Sequence, residues 1–288
     1  KDNPDNRFWP LPAQPQGKKY VSQKEDVPQH ITAKALADRV RSASRGFELV
    51  FLLDYDGTLT PIVDRPDDAH LAAETRQVLR DLSAQHPVAI ISGRDRHDVQ
   101  KRVDVDSVYY AGNHGLDISG PANNSISHIE GADFIPEIRQ TIASLEGNLA
   151  ELPGVLVEGK TYSVAVHTRL VADTDIPAVE KMIAEILEKH PRLLAKRGKC
   201  VVELIPDIDW NKGYAAMWLI ERLQPANGTV FPVFLGDDQT DEDVFAALPD
   251  NGLGIMVAQN PRPSKASLRL GTTGDVVGFL KMIAAQQP

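Results

Sequence analysis

Two carboxylates stand two residues apart at the end of an apolar run, in the stretch FELVFLLDYDGTLTPI at residues 47–62. Asp54 and Asp56 would repel each other at one edge of a sheet, so their place in the chain calls for a compensating charge. A divalent cation such as Mg²⁺ supplies one, because hard cations take carboxylate oxygens as ligands. A turn or a helix N-cap is the alternative, since aspartate favours both. This stretch alone does not decide between them.

A second acidic cluster follows another apolar run, in the stretch FLGDDQTDED. A helix that starts at Thr240 would explain Asp241, because hydroxyl caps and acidic first turns stabilise helix N-termini. Such a start does not account for Asp237 and Asp238, which come directly after the apolar residues. Two acidic strand ends in one sheet therefore indicate a magnesium site.

A lysine and a serine complete the candidate set. Lys212 opens a predicted helix, where the helix dipole disfavours a cation. Pointing into a crevice, it would instead pair with Asp54 and with a phosphoryl oxygen. Ser92 ends the apolar run PVAIIS, where its hydroxyl can donate to a phosphate oxygen. Together these groups predict a site for a phosphate and a metal.

The candidate residues follow apolar runs that end in LLD, IIS, YAGN and FLGD and alternate with helical periodicity. This order predicts an α/β protein with a Rossmann-like, doubly wound parallel sheet, which binds ligands at the carboxyl ends of its strands. Between residues 117 and 206 amphipathic helices and half-polar strands, including a hairpin in VLVEGKTYSVAVHTR, predict an inserted α+β layer. The predicted division is an extended arm at 1–30, a core at 31–116 and 207–288, and the insertion at 117–206.

Composition excludes several classes of partner. The chain has 288 residues and a net charge of −9, which makes it a poor partner for nucleic acid or an anionic membrane. Its apolar runs fall short of the roughly 20 residues that span a bilayer. Cys200 has no second cysteine to pair with, and we expect it to be a packing residue. We expect a cytoplasmic monomer acting on a small molecule; a periplasmic or secreted protein whose leader was removed is the alternative.

Four motifs in a fixed order now suggest a family. DYDGT, ISGR, NKG and GDDQTD resemble those of haloacid dehalogenase-type phosphatases, over residues 47–288. The longer forms DYDGTLTPI, GNHG, VEGK and GDDQTDED resemble the trehalose-6-phosphate phosphatase family. The resemblance implies that the insertion is a cap domain that determines specificity. We expect it to open and close about hinges near residues 115–120 and 206–210.

The resemblance also implies roles for the acidic residues. Asp54 would be the nucleophile that forms an aspartyl-phosphate, and Asp56 the general acid and base. Mg²⁺ would be held by Asp54, the backbone carbonyl of Asp56, and Asp237. The other implied groups are Asp238 and Asp241, which support the metal in an order that the sequence leaves open, and Gly57, Thr58, Ser92 and Lys212, which surround the phosphate.

A sugar substrate needs polar partners for its hydroxyls. The candidates are Arg94, Asn113 and His114 in the core, and Glu158, Lys160, His167, Arg169 and Glu203 in the cap. Three of these (Glu158, Lys160, Glu203) resemble family positions that contact glucose hydroxyls. A solvated sheet face explains His167 and Arg169 equally well, and turn chemistry explains Asn113 and His114.

The predicted function is Mg²⁺-dependent hydrolysis of trehalose 6-phosphate. The first alternative is the same reaction on another sugar phosphate, such as sucrose phosphate or glucosylglycerol phosphate. A non-catalytic sugar-phosphate sensor is a second alternative, although Asp56 would then have no evident role. A phospho-accepting signalling module is a third, and the large insertion argues against it.

Overall fold

The computed structural model describes residues 26–285, except residues 64, 123, 125, 199 and 227. Most of the arm expected at residues 1–30 therefore lies outside the described residues. Within the part of the chain that is described, no helix combines the length and apolar character needed to cross a membrane.

The secondary structure alternates strands and helices. The strands are β1 (Gln29–His30), β2 (Glu48–Leu53), β3 (Val88–Ile91), β4 (Tyr109–Gly112), β5 (Asp117–Ser119), β6 (Ser127–Ile129), β7 (Leu156–Gly159), β8 (Val164–His167), β9 (Leu193–Gly198), β10 (Val201–Pro206), β11 (Val230–Gly236), β12 (Leu253–Val257) and β13 (Leu268–Leu270). The helices are α1 (Ala33–Ala43), α2 (Ala73–Ser83), α3 (Arg96–Val103), α4 (Ile135–Leu149), α5 (Ile176–Lys189), α6 (Lys212–Arg222), α7 (Asp241–Ala247) and α8 (Thr273–Ala284).

A nine-stranded sheet forms the larger layer, in the order β1-β13-β12-β11-β2-β3-β4-β5-β6. Its strands pair in parallel from β1 to β4. Alternation along β2 sends Phe51 and Leu53 toward α1, α2 and α8, and Val50 and Leu52 toward α6 and α7. Both faces are thus covered by helices, which is why β2 reads as a continuous apolar run. The predicted doubly wound parallel sheet is confirmed.

A four-stranded antiparallel sheet, β7-β8-β10-β9, forms a smaller layer with α4 and α5. We call this layer, residues 135–206, the cap layer. Val164 and Val166 of β8 and Leu204 of β10 pack under the two helices. The opposite face of the sheet carries the polar residues. The predicted hairpin is confirmed as β7 and β8, with Leu156 opposite His167.

The sheet topology differs from the predicted boundary at residue 117. β5 pairs antiparallel with β4, and β6 pairs with β5, so the nine-stranded sheet continues to Ile129. These two strands are three residues long and β6 is largely exposed, which gives almost no alternating pattern to read. At the other boundary, β1 extends this sheet with residues that were assigned to the arm. The division into domains remains a proposal, with its first boundary moved past Ile129.

The two expected hinge segments touch. The indole Nε1 of Trp210 donates to the carbonyl oxygen of Gly115 at 3.0 Å. Gly115 has a φ of +93°, and a Cβ at this position would lie 2.1 Å from the Cβ of Ala215. The chain therefore needs glycine here to bring the turn after β4 against α6. Whether the segments act as hinges remains a prediction.

Candidate active site

The carboxyl ends of adjacent strands bring the candidate residues to one edge of the large sheet. β3, β2 and β11 are neighbours, and they end beside Ser92, Asp54 and Asp237. The backbone N–H of Asp54 donates to the carbonyl of Leu235 at 2.9 Å, which ties the end of β2 to β11. The chain then turns sharply, and Gly57 donates to the carbonyl of Thr60 at 2.8 Å.

Lys212 joins two buried carboxylates. Its Nζ donates to Oδ1 of Asp54 and to Oδ1 of Asp241, each at 2.5 Å. Lys212 is 2% exposed, Asp54 6% and Asp241 0%. Burial alone would lower the pKa of Lys212, but Asp241 and Asp54 raise it above its ordinary value. The ammonium is therefore charged, and the pairing with Asp54 expected from the sequence is present.

Three acidic residues form a group that can hold a cation. One oxygen from each of Asp54, Asp237 and Asp241 lies within 4.8 Å of the others. Oδ2 of Asp54 is buried and has no hydrogen-bond partner among the residues that the structure describes. Burial, reinforced by Asp241 and Asp238, raises the pKa of Asp237 to about 8. Burial likewise raises the pKa of Asp54 well above its ordinary value, although Lys212 opposes this. This concentration of carboxylate oxygens matches the ligands that Mg²⁺ prefers.

The structure separates Asp238 from Asp241. Oδ2 of Asp241 accepts hydrogen bonds from the backbone N–H groups of Asp237 at 2.7 Å and Asp238 at 3.0 Å. Asp241 thus orders the loop after β11 in addition to binding Lys212. Oδ1 of Asp238 accepts from the backbone N–H and hydroxyl of Thr240, at 2.7 Å each, and from the N–H of Asp241. Asp238 therefore caps the start of α7, in place of the expected Thr240.

Arg94 holds Asp56 in a bidentate ion pair. Its Nε donates to Oδ2 of Asp56 at 2.6 Å and its Nη2 to Oδ1 at 2.7 Å. The same guanidinium donates to Asp98 at 3.1 Å and to the carbonyl of Pro66 at 2.8 Å. Four of its five N–H donors are used by these three partners, so we propose that Arg94 positions Asp56. Its expected contact with substrate stays a prediction.

Small and hydroxyl-bearing residues surround the carboxylates. Gly57 has a φ of +86°, and a Cβ there would lie 2.1 Å from Oδ2 of Asp237. Thr58 is fully buried, and its Oγ1 has no hydrogen-bond partner among the described residues. The hydroxyl of Ser92 accepts from the N–H of Arg94 at 3.1 Å. Of the residues assigned to a phosphate, Gly57 and Thr58 therefore lie in the loop that carries Asp54 and Asp56, and Ser92 lies in the loop after the neighbouring strand β3.

Glu203 of the cap layer reaches the core. Its Oε1 accepts from Nζ of Lys160 and from the hydroxyl of Ser163, at 2.8 Å each. Its Oε2 lies 3.3 Å from Nε2 of His114. Nζ of Lys160 also donates to the carbonyl of Gly93 at 3.0 Å. Burial raises the pKa of Glu203, but Lys160 and His114 more than offset this and hold it well below its usual range.

A second carboxylate on the cap strands, Glu158, pairs with His167. Oε2 of Glu158 is 2.8 Å from Nε2 of His167. Burial raises the pKa of Glu158, but the hydrogen bond with His167 and the charge of Lys160 bring it below its ordinary value. His167 and Arg169 line a cavity, so the polar face of this sheet is a cavity wall.

The turn after β4 contains Asn113 and His114, which were explained either by turn chemistry or by contact with a substrate. Asn113 and His114 have φ values of +50° and +57°, which short polar side chains tolerate. Their backbone N–H groups donate to the carbonyls of Arg94 at 2.7 Å and Ser92 at 2.9 Å. His114 lines the cavity. Asn113 is buried and is not among its lining residues.

The cavity between core and cap layer has a volume of about 550 Å³. Most of the predicted site residues line it, namely Asp54, Asp56, Ser92, Arg94, His114, Glu158, Lys160, His167, Arg169, Glu203, Lys212, Asp237 and Asp238. Cys200, expected to be a packing residue, is exposed and also lines the cavity, because it lies in the turn between β9 and β10.

Sequence reasoning missed residues that hold the predicted ones in place. Asp98 lies on α3 and pairs with Arg94 from the loop before that helix, so helical spacing does not signal this contact. Ser163, which donates to Glu203, gives no such signal either. The apolar residues at the cavity mouth, Ile62, Leu156 and Leu170, were also missed, since exposed aliphatic residues carry no motif.

Known proteins resemble the chain over the same region. The model of the trehalose-phosphatase family matches residues 52–273. Trehalose-phosphate phosphatase B of Arabidopsis thaliana is 36% identical over 263 residues, which cover 88% of this chain and 70% of that protein. A solved structure of a trehalose-6-phosphate phosphatase related protein has a TM-score of 0.72 at 25% identity, covering 82% of this chain and 97% of that one. A haloacid dehalogenase-like hydrolase from Bacteroides thetaiotaomicron shares the fold, with a TM-score of 0.56 at 13% identity over 82% of this chain and 99% of that one. The chain belongs to the trehalose-phosphatase family.

Proposed function

We propose that the protein hydrolyses trehalose 6-phosphate to trehalose and inorganic phosphate through a phosphorylated Asp54. The observation that carries the proposal is the buried Lys212 bridge between Asp54 and Asp241, beside the unpartnered Oδ2 of Asp54. A nucleophile needs a free lone pair, and a buried carboxylate needs a cation to stay ionised. This arrangement supplies both.

Mg²⁺ is the proposed cofactor, held by carboxylate oxygens of Asp54 and Asp237 with Asp241 behind them. When bound, it would neutralise charge on the phosphoryl oxygens and on the crowded carboxylates. The fit is supported by the carboxylate oxygens of Asp54, Asp237 and Asp241, which lie within 4.8 Å of one another, and by the raised pKa of Asp237, about 8. A divalent cation would offset the repulsion between these carboxylates that contributes to the raised pKa.

The proposed reaction has two steps, the phosphorylation of Asp54 and its hydrolysis, and different side chains act in them. Oδ2 of Asp54 attacks phosphorus while Lys212 holds Oδ1 and fixes the direction of attack. Asp56 gives a proton to the departing sugar oxygen, and later removes one from the water that hydrolyses the phosphorylated residue. Arg94 fixes the orientation of Asp56 at the cavity wall. The hydroxyls of Ser92 and Thr58 and the backbone N–H of Thr58 would donate to the phosphate, while Gly57 shapes the turn that presents them.

Sugar recognition is proposed for the cap layer. The cavity is large enough for a disaccharide, and the pairs Glu158–His167 and Lys160–Glu203 face it. Hydroxyl groups satisfy both carboxylates and cations, so such pairs suit a sugar. The names of the relatives, which are trehalose-phosphate phosphatases, favour trehalose 6-phosphate among the sugar phosphates.

A substrate panel tests this function. Phosphate release would be measured with Mg²⁺ for trehalose 6-phosphate, sucrose 6-phosphate, glucosylglycerol phosphate and glucose 6-phosphate. We expect the highest kcat/KM for trehalose 6-phosphate. Equal kcat/KM for all four would leave a phosphatase but remove the assigned substrate. No release from any of them would favour the sensor interpretation and overturn the proposal.

Removing metal is expected to lower phosphate release by at least about 100-fold, because the cation stabilises several kcal/mol of developing charge. The measurement is activity after treatment with EDTA, then after addition of excess MgCl₂. Recovery should follow in wild type, while Asp237→Asn should need far higher Mg²⁺ concentrations. Full activity in the presence of EDTA would rule out the cation site.

Replacing Arg94 by methionine is expected to lower kcat by about 100-fold with a smaller change in KM, since general acid–base catalysis contributes about 10²–10⁴-fold. The clamp on Asp56 is lost, so the pH profile of kcat should change as well. Arg96→Met is the matched control, because it removes a similar pair with Asp117 (2.8 Å) that does not touch Asp56. Equal effects of the two substitutions would contradict the positioning role.

A further inference from the structure

A hydrogen bond outside the site described so far ties the cap layer to the core. Oδ2 of Asp95 accepts from the hydroxyl of Thr161 at 2.5 Å and from its backbone N–H at 3.4 Å. Oδ1 of Asp95 accepts from the N–H of His97 at 2.9 Å, which caps α3. One carboxylate therefore orders the start of a core helix and binds the turn between β7 and β8.

Both partners adjoin residues that form the site. Asp95 follows Arg94, which holds Asp56, and Thr161 follows Lys160, which donates to the carbonyl of Gly93. The same loop packs closely against the turn after β4, since a Cβ on Gly93 would lie 2.7 Å from Cε1 of His114. The loop from Ser92 to Asp95 is thus held between the turn after β4 and the cap layer.

We propose that Asp95 and Thr161 are positioning residues that latch the cap layer onto the loop carrying Ser92 and Arg94. The inference rests on the function proposed above and adds two residues to it. The latch forms only when the cap layer lies against the core. When the cap layer closes over a substrate, it therefore also orders the loop whose Arg94 orients Asp56.

The latch predicts a particular kinetic signature. When the closed form binds substrate, any loss of closed population weakens apparent affinity by the same factor. A hydrogen bond to a charged group is expected to carry about a fivefold factor or more. In the closed form, the residues that carry out the chemical step are unchanged. Loss of the latch should therefore raise KM by about fivefold while kcat changes little.

Three substitutions isolate the bond. Thr161→Val removes the hydroxyl at constant shape, and Thr161→Ser restores it. Asp95→Ser keeps a residue that caps helices but is too short to reach Thr161. Thr174→Val is the matched control, since its hydroxyl pairs at 3.4 Å with Asp175 inside the cap layer. We expect raised KM for Thr161→Val and Asp95→Ser, no further rise in the double variant, and wild-type KM for Thr161→Ser and Thr174→Val.

Amide hydrogen exchange of the unliganded protein provides a readout independent of catalysis. Segments 92–97 and 159–163 should exchange faster in Thr161→Val than in wild type or Thr174→Val. Unchanged exchange in both segments would overturn the latch, and so would a raised KM that Thr161→Ser does not correct. If the wild type released no phosphate from any sugar phosphate, the proposed function would fail, and the exchange result would still decide whether the latch exists.

Discussion

Replacing Asp54 by asparagine should abolish phosphate release, with a fall of at least about 10⁴-fold. Removing a nucleophile from a cooperating set costs most of what the whole set provides. The fold should persist, because burial already raises the pKa of Asp54, so a neutral isostere removes a charge that the site holds at a cost. The measurements are the rate of phosphate release and Tm on the same preparation.

Trapping the intermediate separates a nucleophile from a metal ligand, since Asp54 is proposed to be both. After acid quenching of wild type with substrate, mass spectrometry should find a phosphoryl group on the peptide that contains residue 54. Asp38→Asn, an exposed substitution on α1, serves as the control and should behave as wild type. A phosphoryl group on another residue, or activity within tenfold of wild type in Asp54→Asn, would refute the mechanism.

Replacing Lys212 by methionine should destabilise the protein by about 3–5 kcal/mol, the usual cost of removing one partner of a buried ion pair. The ammonium is 2% exposed and contacts two buried carboxylates. Without the ammonium, the carboxylates of Asp54, Asp237 and Asp241 lie close together with no side-chain cation to offset their charges. The free energy of unfolding, measured by urea denaturation without Mg²⁺ at neutral pH, tests the effect.

The loss of stability should depend on pH in a defined direction. Asp237 has an ordinary pKa of 3.8 and a folded pKa of about 8, so the folded state binds the extra proton between these values. Wild-type stability therefore falls as pH rises through this range. Because Lys212 lowers the folded pKa of Asp237, its loss raises that pKa further, and the Lys212→Met defect should grow as pH rises through about 8. Added Mg²⁺ should reduce the defect. Lys34→Met, which breaks an exposed pair, should show little change. A defect that grew as pH fell would contradict this account.

The layered fold and the edge of the sheet that carries the site could be predicted from the amino-acid sequence. Apolar runs such as ELVFLL are buried on both faces, and each ends in a polar residue, so the parallel sheet forces Asp54, Ser92 and Asp237 to one edge. The pairing of Lys212 with Asp54 followed from the same logic, since a buried lysine at a helix start needs an anion. The strands β5 and β6 could not be predicted, because segments of three residues are too short to show a periodic signal.

The direction in which each polar side chain points depends on tertiary contacts. The sequence left open how Asp238 and Asp241 share the support of a metal, and in the fold one caps α7 while the other binds Lys212. The same holds for Arg94, whose guanidinium binds Asp56 at the wall of the cavity. The end of a long apolar run along the chain indicates where a buried strand ends. The partner of a side chain depends instead on backbone direction and on segments that meet across the fold, as Thr161 meets Asp95.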